Sequence, residues 1–427
     1  MSQTRRALFI APVMPDETGH GIAMRAGMFL EALARDHEVS LLVLPLAGPA
    51  DPAALPDLVA RHAARVVVVP TEGRVDPLFA LISRVKDPLE RTKALLAYPR
   101  PAMCRFATGD TIAEAARRLA GIGFDLVHVH RLYMAPFAVP FLGSGRAAAR
   151  PVCVLDLDDD EPRTRRGLSA LHASRGQTEA AALEAGEAEK YTRLERDFLP
   201  RFDRILVCAE ADRAELTARF GLASVEIIPN AVRVPPRSTS ARGAGAFCFL
   251  LVGSFGYFPN EDAALFFCQE VWPQLVVGAD RPVRVSIVGS WPSPAVLRFG
   301  ATVGITVTGK VPSVGPYYAG AHVAINPIRA GGGTRIKAIE AFAHGVPLVS
   351  TSVGVEGLGA EHERHVLIAD SPGDFAAACL RLLRDPGLAA TLAERAHALY
   401  CERYALPRVA GQIRERYRAF ALTARAE

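Results

Sequence analysis

The chain has 427 residues, half of them hydrophobic and 22% charged, with a formal net charge of +4. Such a composition belongs to an ordinary soluble globular protein of about two or three domains and excludes a disordered or collagen-like chain. A charge this close to balance leaves no footprint for nucleic acid, and no aromatic-interleaved basic motif occurs.

Residues 7–13 follow Arg5 and Arg6 and read as a first buried strand. A signal peptide is the competing idea, but Pro12 and Pro15 interrupt the run, Asp16 and Glu17 close it, and no small-residue cleavage site follows. No apolar stretch reaches the roughly 18–20 residues of a spanning helix. The loop 14–21 holds Gly19, His20 and Gly21, a helix occupies 22–34 and a second strand 37–44. This imitates a dinucleotide fingerprint but lacks its third glycine. Arg25 is the charged residue of interest on that helix, with a solvated helix face as the plainer reading.

Strand–helix alternation continues through 66–69. Between 81 and 105 the chain turns basic, with Arg84, Lys86, Arg91, Lys93, Arg100 and Arg105 among Leu81, Ile82, Leu89, Leu95, Leu96 and Tyr98. Such a segment suits either an anionic membrane surface or a solvated helix. The run FDLVHVH, 124–130, is a strand whose alternation puts His128 and His130 on one face. His130 is at the carboxyl end, where α/β sites are built. His128, deeper in the strand, reads as a core histidine bonded to a backbone carbonyl. A strand at 152–157 runs into Asp156, Asp158, Asp159, Asp160 and Glu161. That cluster invites a metal reading beside that of an acidic loop. A charged helix over 180–199 covers the sheet, and strands at 204–208 and 225–228 close the first half.

Residues 234–246 (VPPRSTSARGAGA) have linker composition. The expected domains are 1–235 and 245–405, with a helix in 406–427. Strands follow at 247–252, 283–288 and 305–308, the first turning through Gly253 and Ser254 and the last leading to Lys310. The seven cysteines are scattered, odd in number and without a C-x-x-C pair, as in reduced thiols of a cytoplasmic protein.

The most informative stretch is 323–350, VAINPIRAGGGTRIKAIEAFAHGVPLVS. It reads as a strand, a turn through Gly331, Gly332 and Gly333, a helix with Ile336, Ile339 and Phe342 inward, and a second strand. A helix N-terminus behind a glycine turn suits phosphate. Arg335 and Lys337 add charge there, and Glu340 is placed to take a ribose diol. A tight turn with a Lys337–Glu340 surface pair is the plain alternative.

This stretch, continued by Gly354, Glu356, Gly357 and Leu358, resembles the donor-nucleotide motif of family-4 retaining glycosyltransferases, in the branch reading GGGTR-x-K-x-x-E. The resemblance implies the GT-B fold class, α/β with two Rossmann-like domains facing a cleft. It implies sugar transfer from a nucleotide-sugar donor to an acceptor, a cell-envelope or lipid-linked glycan, with no cofactor and no metal. The acidic cluster becomes loop and acceptor-side surface. His130, Arg335 and Lys337 are then the catalytic residues, with His130 against the donor sugar. Donor binding falls to Gly331, Gly332, Gly333, Thr334 and Glu340, to Gly253 and Ser254, to Lys310 in the base-reading loop, and to Gly21 in the first loop. The helix in 406–427 crosses back to the first domain. Independently of the resemblance, the membrane reading of the basic segment would give peripheral contact with the inner membrane face.

Two departures stand out. The family's first glutamate falls on Gly332, and its basic pair falls on Ser254 and near Pro259 and Asn260. Arg335 and Lys337 must replace that pair. A degenerate module that binds nucleotide or a partner without turnover, and a nucleotide-sugar epimerase, are the alternatives.

Overall fold

Apolar runs alternating with helices fold into two parallel sheets, as strands buried on both faces require. The computed structural model describes residues 5–48, 50–143, 150–222, 224–233, 245–333 and 335–423. Thr334 and residues 234–244 of the linker-like stretch therefore lie outside the described residues. The chain divides into one unit of Met1–Asn230 with Pro407–Glu427 and a second of Ala231–Leu406.

The first unit contains β1 (Arg6–Ala11), β2 (Glu38–Val43), β3 (Arg65–Val68), β4 (Leu126–His130), β5 (Val152–Asp156), β6 (Arg204–Val207) and β7 (Val225–Ile227). Their order in the sheet is β3-β2-β1-β4-β5-β6-β7, all parallel, with Phe9 of β1 opposite His128 of β4. The order reverses between β1 and β4, so their carboxyl ends form a switch point of the kind that holds ligands in doubly wound sheets.

The second unit contains β8 (Phe247–Val252), β9 (Val283–Val288), β10 (Ile305–Gly309), β11 (Val323–Asn326), β12 (Leu348–Ser350) and β13 (Leu367–Ile368). The order is β10-β9-β8-β11-β12-β13, again parallel. Its switch point lies between β8 and β11. The turn through Gly253 and Ser254 leaves one of these strands and the three-glycine turn leaves the other.

Helices fill the crossovers. Asp160 caps the helix Glu161–Ser174 by accepting from the Arg163 N–H at 2.9 Å, with Pro162 in its first turn. The acidic cluster is thus a helix start, and it is buried: Asp156, Asp158, Asp160 and Glu161 are all at or below 8% exposure. The acceptor-side surface expected there is corrected accordingly. Arginines from distant parts of the chain pair with these carboxylates and make their burial tolerable.

The helix Leu406–Thr423 packs on the first sheet. Arg414 and Arg418 bond Asp36, and the Tyr417 hydroxyl is 2.5 Å from His128 Nδ1. Among the described residues no helix is long and apolar enough to cross a membrane.

Candidate functional site

The site in the second unit begins where β8 meets β9. The N–H of Gly253 donates to the Val288 carbonyl at 3.0 Å and that of Phe255 to the Ser290 carbonyl at 2.8 Å. A Cβ on Gly289 would stand 1.7 Å from the Gly253 carbonyl oxygen, so the two turns touch main chain to main chain and only glycine fits.

Asn260, in the first turn of the helix Phe258–Phe266, faces this turn. Its Nδ2 donates to the Ser254 carbonyl at 2.7 Å, and its Oδ1 accepts from the Lys337 ammonium. Two residues on, Asp262 holds Arg329 through two bonds of 2.8 and 2.9 Å.

The three-glycine turn follows β11 and leads into the helix Ile336–Ala343. Gly331 and Gly333 take φ values of 133° and 68°, which side chains rarely adopt. Arg335 does not face outward, as a phosphate-binding cation would. It is buried and folds back on the turn, donating to the carbonyls of Gly332 and Gly331 at 2.9 Å each and pairing with Glu356 at 3.2 Å. Arg335, expected to add charge beside the turn, braces the turn in this arrangement.

Lys337 and Glu340 do not pair with each other within 4.0 Å; among the described residues each has a different partner. Lys337 reaches Asn260, while Glu340 accepts from the Tyr318 hydroxyl at 3.3 Å. The Tyr318 ring stacks on His344, with centroids 4.5 Å apart. Burial pushes the Glu340 carboxyl up to about 7, against the opposing effects of Tyr318 and Lys337. Burial brings Lys337 down to about 8; the Glu340 charge opposes the shift and Arg335 adds to it more weakly. Lys310 lies exposed just beyond β10.

In the first unit the site expected around His130 is a closed network. His130 is wholly buried, its Nδ1 2.8 Å from Asp156 Oδ2 and its Nε2 3.2 Å from the Ile22 carbonyl. Asp156 also accepts from Arg25 Nε at 2.8 Å and Nη2 at 2.6 Å. Arg25 further donates to the Ile228 carbonyl at 3.1 Å and to Asn230 Oδ1 at 3.0 Å. Burial would raise the Asp156 pKa, but the charge of Arg25 and the bonds from His130 and Arg25 outweigh it and hold the group below the usual carboxylate range. Arg25 is thus a buried anchor, and the solvated helix face expected of it is corrected. His130 presents no open face to a sugar in this arrangement.

His128 lies between the rings of Phe9 and Phe29, and burial lowers its pKa to about 3. It is a core histidine, bonded to a tyrosine hydroxyl where a backbone carbonyl was expected. His128, His130 and Asp156 offer ligand atoms within 4.8 Å of one another. The Arg25 guanidinium on both carboxylate oxygens opposes a cation there. Gly21 begins the helix Gly21–Leu33 at the edge of this network.

The structure therefore brings together Gly253, Ser254, Lys337, Glu340 and the glycine turn, and leaves Gly21 and His130 in the other unit. The residues that sequence reasoning missed are Asn260 as a bridge, Tyr318 as a donor to Glu340, and the Arg329–Asp262 and Arg335–Glu356 pairs. Only Asn260 carried a signal, being a polar residue in the first turn of a helix behind a glycine turn.

Residues 246–385 match the family described as glycosyl transferases group 1, and residues 20–231 match the glycosyl transferase 4-like domain. No curated protein sequence matches the chain. Among solved structures, sucrose-phosphate synthase from Thermosynechococcus elongatus is 16% identical over 98% of this chain and 100% of that one, with a TM-score of 0.68. Anabaena HepE in complex with UDP and glucose is 15% identical over 97% and 100%, with a TM-score of 0.64. A mutant of S. aureus TarM in complex with fondaparinux, α-GlcNAc-glycerol and UDP is 11% identical over 98% and 100%, with a TM-score of 0.65. At these identities the likeness is one of fold.

Proposed function

This chain belongs to the group 1, family-4-like glycosyltransferases of the GT-B fold, and from that premise we propose that it moves a sugar from a nucleotide-sugar donor to a glycan or lipid-linked acceptor with retention of anomeric configuration. The observation that carries this reading is the switch point of the second sheet. There a glycine turn, the start of a helix, a cation and a carboxylate converge within one strand–helix junction.

The diphosphate is the leaving group. Main-chain N–H groups at the start of the helix Ile336–Ala343 and the Lys337 ammonium meet the charge that develops on it. Glu340, oriented by Tyr318, takes the ribose hydroxyls. Arg335 keeps the glycine turn in shape, and Gly253 with Ser254 lets the phosphates approach the main chain. With this charge supplied by the protein, the proposed step calls for no bound metal.

The acceptor belongs to the cell envelope in this reading, and the protein works at the inner face of the membrane. Leu78, Leu81 and Leu89 are 50%, 60% and 63% exposed on the short helices Pro77–Ile82 and Pro88–Ala97, beside exposed Arg84, Lys86, Arg91 and Lys93. The rest of the basic segment is engaged in the fold: Arg100 pairs with Asp76, and Arg105 lies over Phe79 and Phe106. Six of the seven cysteines are buried and all are free thiols, which suits a reducing cytoplasm. A binding module without turnover is the second reading, favoured by Ser254 and Asn260 at the positions of the basic pair.

The test is incubation with a panel of nucleotide-sugars without acceptor, followed by mass spectrometry. Slow release of one sugar in hydrolysed form, its yield lowered by Lys337→Met, is the expected result. Nucleotide binding with no sugar released, and none transferred across a broad acceptor panel, would overturn it in favour of the binding module. A donor returned with an inverted sugar carbon would indicate an epimerase.

A further inference from the structure

Three cations approach the switch point of the second sheet, and their partners differ. Arg329 is held by the Asp262 carboxylate and Arg335 by the Glu356 carboxylate, whereas the hydrogen-bond partner of Lys337 is the neutral amide of Asn260. An amide orders an ammonium without cancelling its charge.

Asn260 is itself well fixed. It is 6% exposed, its main-chain N–H donates to the Tyr257 carbonyl at 2.9 Å, and its Cγ would lie 3.3 Å from a Cβ on Gly253. A carbonyl can only accept and an ammonium can only donate, so the Ser254 carbonyl and Lys337 between them dictate which way the amide points. The side chain thereby ties the turn after β8 to the helix after β11, one from each side of the switch point.

We infer that Asn260 is a positioning residue that aims the Lys337 ammonium at the diphosphate of a bound nucleotide while leaving its charge intact. This rests on the glycine turn being the diphosphate site. A lysine carries four flexible methylenes, and a single bond to a buried amide confines its charge to the place where the ligand needs it.

Glu340 and Arg335 act on Lys337 from its own helix, with opposite signs. From the helix Phe258–Phe266 the facing group is Asn260, Asp262 being engaged by Arg329. The helix Pro386–Arg403 packs at the far end, where His397 meets the Phe342 carbonyl at 3.1 Å. Replacing Asn260 is therefore expected to change the ammonium most directly.

The experiment is calorimetric titration of UDP, GDP, ADP and dTDP, and of the nucleoside of whichever binds most tightly, between pH 6.5 and 9.5. For the wild type, diphosphate affinity falls as pH rises through about 8, as Lys337 loses its proton, while nucleoside affinity has no such limb. In Asn260→Asp the midpoint of that limb moves to higher pH, because a carboxylate stabilises the ammonium. Asn260→Leu, with Asn260→Ser as the milder form, loses roughly tenfold in diphosphate affinity, about the value of one hydrogen bond to a charged group, and leaves the nucleoside unaffected. Added to Lys337→Met, Asn260→Leu costs nothing further, because the two act as one unit.

If the losses from Lys337→Met and Asn260→Leu simply add and no midpoint moves, Asn260 is a structural residue and the inference fails while the diphosphate reading stands. If Lys337→Met weakens diphosphate and nucleoside alike, or no diphosphate binds, the diphosphate reading fails first.

Discussion

Replacing Arg25 with methionine removes a buried guanidinium and keeps much of its volume. The structure assigns that guanidinium four hydrogen bonds: two to Asp156, one to the Ile228 carbonyl and one to Asn230. Asp156 is itself wholly buried and would keep only His130. Removing one partner of a buried ion pair costs about 3–5 kcal/mol, because the other charge stays desolvated. With a urea dependence of about 2–3 kcal/mol per molar for a unit of this size, the midpoint falls by roughly 1–2.5 M.

The assay can be confined to one unit. Both tryptophans, Trp272 and Trp291, belong to the second unit, so tryptophan fluorescence follows that unit while far-ultraviolet circular dichroism follows both. The expected outcome is an early dichroism transition at lower urea with the fluorescence transition unmoved. The acid side supplies a second check. In the wild type Asp156 is held low, so the stability it contributes is present above the unfolded pKa of about 3.9 and is lost only as pH falls through the lower folded value. In Arg25→Met that carboxyl rises, and the deficit relative to wild type shrinks as pH falls. A loss under 1 kcal/mol, the worth of an exposed pair, would refute the reasoning. So would a deficit independent of pH.

Glu340, raised to about 7, must be ionised to accept two ribose hydroxyls. Nucleotide affinity is therefore expected to weaken as pH falls through about 7, and Glu340→Gln to abolish this limb in calorimetric titrations. Gly289→Ala places a methyl 1.7 Å from the Gly253 carbonyl oxygen; the turn must give way, at a cost of about 3 kcal/mol or more, read from a lowered fluorescence midpoint with nucleotide binding lost. Leu81→Glu with Leu89→Glu removes two exposed leucines from the basic helices and is expected to abolish co-sedimentation with anionic vesicles without altering either unfolding transition. Equal binding of the wild type to neutral and anionic vesicles would remove the electrostatic part of that reading, about 1 kcal/mol per basic residue near the surface.

Strands such as Phe247–Val252 and Val323–Asn326 were legible because a parallel strand covered on both faces is an unbroken apolar run. The glycine turn before Ile336 was legible because turn, helix and second strand follow within thirty residues or so. The partners of the charges were not. Arg25 and Asp156 are 131 positions apart, and Asn260 and Lys337 are 77 apart; no periodicity reports such a meeting. The run from Asp156 to Glu161 looked like surface because carboxylates rarely lie inside unless paired, and the pairing arginines come from elsewhere. One local sign does lie in the sequence there: Asp160, Glu161 and Pro162 make a helix start of the ordinary kind. His130 was correctly placed at the end of its strand, but strand position alone says nothing about what a neighbouring helix lays across it.

The helix Leu406–Thr423 has a consequence for how the protein is made. Its Tyr417 meets His128 and Phe29, and its Arg414 and Arg418 meet Asp36, all in the first unit, yet the whole of Ala231–Leu406 is synthesised between them. On the ribosome the usual order is inverted. The unit begun first is the one that cannot be finished until the other has been made, while the second unit has all its strands in hand earlier. Through that interval the surface around Phe29 and His128 lacks the cover that Tyr417 later supplies.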